Sequence, residues 1–167
     1  MTEISVTLNG VETTVAIEDR TSLADMLRER LDQTGTRLGC EHGGCGACAV
    51  LLDGMPVRSC IVLAAMADGA RVETLEGLLE DPIIAALSKT FHELHALQCG
   101  FCTSGMLVTA RDILRRHSAP TRDTIRKELS GQICRCTGYV GIVNAIEAAG
   151  RDLASNEADK GTETAAP

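Results

Sequence analysis

The sequence predicts an α+β protein in two parts: a small hairpin-built unit followed by a four-helix unit. Three observations predict it. Apolar residues alternate with a period near 2 in the first strands and recur with a period near 3.6 from Leu75 onward. Two tight-turn pairs, Asn9-Gly10 and Asp53-Gly54, punctuate the first part. The eight cysteines divide four and four between the parts, in two differently spaced sets.

Residues 3–17 form the first expected hairpin. Ile4, Val6 and Leu8 alternate with polar residues, Asn9-Gly10 turns the chain, and Val11 to Ile17 returns. Thr21 or Ser22 can cap a helix that carries Leu23, Met26, Leu27, Arg30 and Leu31, with Gly35 ending the unit. The stretch from Gly39 to Cys48 holds four glycines in ten residues and is expected to be a loop. Ala49 to Leu52 reads as a buried strand, Asp53-Gly54 as a turn, and Met55 to Ser59 as a return strand leading into Cys60.

In the second part, Leu75, Leu79, Ile83, Leu87, Phe91 and Leu94 keep helical spacing, and Pro82 puts a helix start within Leu75–Pro82. Met106, Ala110, Ile113 and Leu114 define a second helix ending near His117. Thr121 caps a short third helix with Ile125 and Leu129, closed by Gly131. Ile142, Ala145, Ile146, Ala149 and Leu153 define the fourth. The expected division is 1–74, 75–154 and a tail over 155–167, which lacks periodicity and apolar bulk and is expected to be disordered.

Composition excludes some functions. The net charge of -7 and a total of three aromatic residues argue against a nucleic-acid partner, which needs basic surface and stacking platforms. The N-terminus lacks the pattern of a secretory signal, and the longest apolar run, Ile61 to Ala67, is far too short for a membrane span. A reducing cytoplasm is the expected compartment. There, eight cysteines point to metal ligation or thiol chemistry rather than disulfides.

Cys40, Cys45 and Cys48 follow C-x4-C-x2-C, with Cys60 completing four. This is the plant-type [2Fe–2S] spacing. Such a cluster site is anionic and needs dipoles aimed at its sulfurs; Gly43, Gly44 and Gly46 allow a loop that turns backbone N–H groups inward. A structural zinc site remains a rival, although zinc ligands favour separated C-x2–4-C pairs. A disulfide is disfavoured by compartment. A redox C-x2-C pair at Cys45 and Cys48 would expect a βαβ context that the sequence does not supply. With four cysteines at hand, His42 is expected at the surface or behind the ligands, and Glu41 in solvent.

The second set is Cys99-x2-Cys102 with Cys134-x-Cys136. Each pair precedes an expected helix, starting near Ser104 and Gly138, whose N-terminal N–H groups favour negative charge. By spacing alone zinc is a fair rival here. His92, His95 and Cys99 share one helical face by spacing, a face expected to be packed or turned to a partner.

The combined motifs, GCEHGGCGAC at 39–48, QCGFCTSGM at 98–106 and GQICRCTGY at 131–139, closely resemble the iron–sulfur subunit of the xanthine oxidase family of molybdenum hydroxylases. The resemblance covers residues 3 to 153 and fills all eight ligand positions: Cys40, Cys45, Cys48, Cys60, Cys99, Cys102, Cys134 and Cys136. It implies a plant-ferredoxin-like β-grasp domain followed by a four-helix bundle, each with one [2Fe–2S] cluster. It implies a large partner subunit carrying molybdopterin-bound molybdenum, and usually an FAD subunit. Electrons would run from molybdenum through the helical-domain cluster and then the N-terminal cluster to FAD or another acceptor. It also implies that Gln98 and Cys136 approach the pterin cofactor. The chain would then be an electron-transfer subunit with no substrate chemistry of its own. The competing identities are a structural protein with two zinc sites and a free-standing ferredoxin.

Overall fold

The computed structural model describes residues 1–163, with side chains through Ser155. Strands β1 (Thr2–Leu8) and β2 (Val11–Ile17) form the first hairpin, and β3 (Ala49–Leu52) and β4 (Met55–Arg58) the second. Both turns take the left-handed backbone their sequences require, with φ of 49° and 84° at Asn9-Gly10 and 50° and 81° at Asp53-Gly54. A fifth strand, β5 (Arg71–Glu73), joins the hairpins into one sheet of order β2-β1-β5-β3-β4. It runs parallel to β1, pairing Leu8 with Val72, and antiparallel to β3, pairing Leu51 with Glu73. Sequence reading missed β5 because three residues with a single apolar side chain carry no alternation.

Helix α1 (Leu23–Asp25) starts on Ser22, whose hydroxyl accepts the Asp25 N–H at 3.0 Å, and continues as a π-helical turn over Met26–Arg30. Leu23, Met26 and Leu27 bury against Ile4, Val6, Leu8, Val50 and Val72 to make the first core. This sheet with one helix across it is the ferredoxin-like unit expected.

The helical unit follows a 3-10 turn at Leu75–Leu78. It comprises α2 (Pro82–Glu93), α3 (Thr103–Arg116), α4 (Arg122–Glu128) and α5 (Val140–Glu163). Asp81 caps α2 by accepting the N–H groups of Ile83 and Ile84, and its carboxylate also pairs with Arg111 of α3 at 2.7 Å. Thr121 caps α4. Phe91, Leu87, Met106, Ile113, Ile125, Ile142 and Ile146 fill the second core.

Strand β3 belongs to both cores. Val50 faces the first, while Ala49 and Leu51 face the second, as alternation across a strand demands. Burial on both faces explains its unbroken apolar run.

Two expectations are corrected. The segment from 155, expected to be disordered, continues α5 as helix to Glu163; extending a helix already nucleated and packed costs less than starting one. Residues 164–167 of that tail lie outside the described residues. The common helical face of His92, His95 and Cys99 does not form. Helix α2 ends at Glu93, and His95 turns the chain with a φ of 51°. Among the described residues, no helix is long and apolar enough to cross a membrane.

Candidate metal centres

The loop from Gly39 to Cys48 winds through left-handed backbone at Glu41, Gly43 and Gly46, with φ of 58°, 81° and 79°. Gly44, also expected to use that freedom, does not. The winding turns N–H groups toward sulfur. Those of His42, Cys45 and Gly44 reach Cys40 Sγ, that from Cys45 at 3.3 Å, and the Gly43 N–H reaches Cys60. Glu41 and His42 are exposed, as expected, and His42 Nδ1 bonds the Cys40 carbonyl at 2.6 Å. Cys48 sits at the foot of β3. Ser59, fully buried, holds the end of the second hairpin to it by donating its hydroxyl to the Cys48 carbonyl at 2.7 Å, which brings Cys60 beside Cys48.

In the second set Cys99 and Cys136 lie with Sγ atoms 3.5 Å apart, and burial, with the neighbouring Cys134 thiol, raises that of Cys102. Cys102 stands at the N-cap position of α3, as expected. Helix α5 starts only at Val140, past Thr137-Gly138-Tyr139, so the donors to Cys134 come from that turn rather than from a helix end. They are the N–H groups of Thr137 and Cys136, with the Thr137 hydroxyl donating at 3.0 Å.

Of the thiols, Cys99 and Cys136 are in direct contact, while Cys40 with Cys45, Cys48 with Cys60 and Cys102 with Cys134 influence each other's ionisation. The electrostatics reflect this. The His42 N–H, ahead of those of Cys45 and Gly44, draws the Cys40 thiol down to about 6, while burial pushes its neighbour Cys45 up. Burial pushes Cys60 up to about 11 and Cys102 up to about 12, each raised further by its partner thiol. For Cys134 burial acts upward, but the Thr137 and Cys136 donors outweigh it and leave the thiol lowered. The Phe101 N–H and then Cys136 lower Cys99, and Cys99 in turn raises Cys136. One thiol of such a pair ionises at the expense of the other, which a bound cationic metal relieves.

Among the described residues no group of three or more His, Cys, Asp or Glu side chains closes on a single metal-ion point. Paired thiols with N–H donors aimed at them fit a two-iron cluster, which places two thiolates on each iron.

The two sets are neighbours. The Cys45 carbonyl accepts the Ile133 N–H at 2.8 Å, one residue before Cys134. Gly105 of α3 lies so close to the Gly46–Ala47 backbone that a Cβ there would stand 2.3 Å from the Gly46 oxygen. Gln132, buried on the same seam, donates to Thr109, and Arg58 donates to the Gly131 carbonyl. A cavity of about 250 Å3 is lined by Cys99, Cys102, Cys134, Cys136 and also Cys45.

Gln98, Cys99 and Cys136 are all exposed, whereas Cys134 is buried and Cys102 half-buried. The second set therefore presents one open edge, and Gln98 adjoins it. Among the described residues the Gln98 side chain makes no hydrogen bond within the chain. Arg135 is exposed beside the same edge. Tyr139, one of three aromatic residues, packs on the second core and ties down the Cys134 backbone. Ser59, Gln132 and Thr137 were not singled out by sequence. Gln132 and Thr137 stood out only as members of the GQICRCTGY stretch, and Ser59 carried no signal.

Residues 6–77 match the family described as 2Fe-2S iron-sulfur cluster binding domain, and residues 74–147 the family described as [2Fe-2S] binding domain. The small subunit of nicotine 6-hydroxylase from Paenarthrobacter nicotinovorans is 49% identical over 144 residues, spanning 86% of this chain and 87% of that one. The gamma subunit of caffeine dehydrogenase from Pseudomonas sp. (strain CBB1) is 49% identical over 147 residues, spanning 86% and 88%. The crystal structure of quinoline 2-oxidoreductase from Pseudomonas putida 86 contains a chain that superposes with a TM-score of 0.86 at 49% identity, covering 93% of this chain and 96% of that one.

Proposed function

The chain belongs to the iron–sulfur small subunits of the xanthine oxidase family of molybdenum hydroxylases, and from that premise we propose that it carries electrons away from a molybdopterin site on a larger partner subunit. The path runs through two [2Fe–2S] clusters, the helical-unit cluster first, to FAD on a further subunit or to another acceptor. Cys40, Cys45, Cys48 and Cys60 hold one cluster, and Cys99, Cys102, Cys134 and Cys136 the other. When bound, each cluster supplies a one-electron redox centre. The chain's residues do the rest. The Gly-rich loop and the Thr137 turn aim donors at the sulfurs, β3 and α3 anchor Cys48 and Cys102 at their starts, and the exposed edge of the second set faces outward.

The observation that carries this reading is that the second set of four thiols lines one cavity together with Cys45 of the first set, the two sets being joined by the hydrogen bond from the Ile133 N–H to the Cys45 carbonyl. We assign Gln98 and Cys136 to contact with the pterin, as the family resemblance implies; both lie at the open edge. Residues 1–74 and 75–154 are proposed as the two cluster-binding domains, and the cytoplasm as the compartment. Substrate selection belongs to the partner chain.

Anaerobic purification tests it. About four irons per chain and two distinct paramagnetic signals on reduction are expected from two [2Fe–2S] centres. A colourless protein holding two zincs overturns the reading. Purification from native cells without a molybdenum-containing partner favours a free-standing ferredoxin instead.

A further inference from the structure

We propose that Thr137 is a positioning residue that sets the reduction equilibrium of the second cluster, by donating its hydroxyl to the Cys134 sulfur. The inference rests on the reading that Cys134 ligates iron. Thr137 Oγ lies 3.0 Å from Cys134 Sγ. The oxygen's acceptor side is already taken by the Tyr139 N–H at 3.2 Å, which leaves the hydroxyl proton directed at sulfur. A ligating thiolate has no proton of its own, so the hydroxyl can act only as donor.

The surrounding backbone is built to hold this contact. Gly138 and Tyr139 both take left-handed φ, 64° and 68°. For a bulky aromatic residue that conformation is uncommon. Here it brings the Tyr139 N–H to Thr137 and its phenol back to the Gln132 and Cys134 backbone. Tyr139 Oη accepts the Cys134 N–H at 2.9 Å and donates to the Gln132 carbonyl at 3.1 Å. Cys134 is thus fixed at its backbone by Tyr139 and at its sulfur by Thr137. The other groups around that sulfur are Cys102 and the N–H groups of Thr137 and Cys136. Among the described residues no other hydroxyl donates to a cysteine sulfur.

Reduction adds one electron, delivered by oxidation of substrate on the partner subunit, and the Thr137 proton stays on its oxygen. The added negative charge strengthens a hydrogen bond to ligand sulfur, so the donor favours the reduced state. Its removal shifts the equilibrium toward the oxidised state.

The test uses the full iron-loaded chain in its complex, with both midpoint potentials read from one redox titration followed by electron paramagnetic resonance. Thr137→Val and Thr137→Ala should each shift the second cluster's reduction equilibrium about tenfold, a potential lower by about 59 mV for a one-electron couple. Thr137→Ser should keep the parental potential, and the first cluster should not move in any variant. A parental potential in whichever of the Val and Ala variants assembles overturns the proposal, as does a Ser variant that shifts as far as Val. If Ser alone retains the second signal, the hydroxyl is needed for assembly rather than tuning, and the proposal falls. Absence of the second signal from the parent protein would instead overturn the two-cluster reading, and this inference with it.

Discussion

Gly105→Ala probes the seam between the two units. The new Cβ would lie 2.3 Å from the Gly46 oxygen and 2.9 Å from the Ala47 carbonyl carbon. Ordinary contact begins near 3.4 Å, so the gap must widen by 3.4 − 2.3 = 1.1 Å. Both sides are backbone, so no flexible side chain can yield. Overpacking of this kind costs about 1–3 kcal/mol. An opening that large also stretches the nearby Ile133–Cys45 hydrogen bond beyond range, which adds about 1 kcal/mol. Alanine recovers about 1 kcal/mol over glycine by helix propensity. The net loss is about 2 kcal/mol, which for a chain of this size lowers Tm by roughly 4–8 °C. Thermal melting of the iron-loaded protein followed by circular dichroism measures it. A Tm equal to or above the parent's would refute the seam, because only its close contact reverses the propensity gain.

Cys136→Ser should abolish the second paramagnetic signal and leave the first, since Cys136 belongs to the second set of ligands alone; equal loss of both would refute the assignment. Asp81→Ala removes the α2 cap and the Arg111 pair together and should cost about 2–4 kcal/mol by chemical denaturation, whereas Asp81→Asn keeps the cap and should recover about 1 kcal/mol of that. Arg116 hydrogen-bonds Glu128 and holds its carboxylate below the ordinary value. A depressed folded value means this contribution is full above the ordinary carboxylate range and fades as pH falls through it and below. Glu128→Gln should therefore lower stability at pH 7 by no more than about 1 kcal/mol, with the difference from the parent vanishing in acid. A difference that persists at low pH points to packing instead.

Local chemistry made much of the chain legible. Asn9-Gly10 and Asp53-Gly54 demanded left-handed turns and have them. Pro82 marked the start of α2, and Thr121 that of α4. The cysteine spacings pointed to two sets because spacing constrains which thiols a short loop can bring together. What stayed hidden depends on distant partners. Strand β5 has only Val72 to bury, and it exists because two hairpins need a strand between them. The expected face of His92, His95 and Cys99 extended a helix beyond the point where Leu94 and His95 turn to admit Gly141 of α5. Thr137 reads as an ordinary turn residue until Tyr139, in an unusual backbone conformation, folds back over Cys134.

Strand β3 has a consequence for dividing the molecule. It lends Val50 to one core and Leu51 and Ala49 to the other, so neither half is a detachable cassette. A fragment cut after the sheet would present an apolar strand face to water and tend to self-associate. The two halves should therefore melt in one cooperative transition, and a graft of the ferredoxin-like half onto another protein needs polar replacements at Ala49 and Leu51.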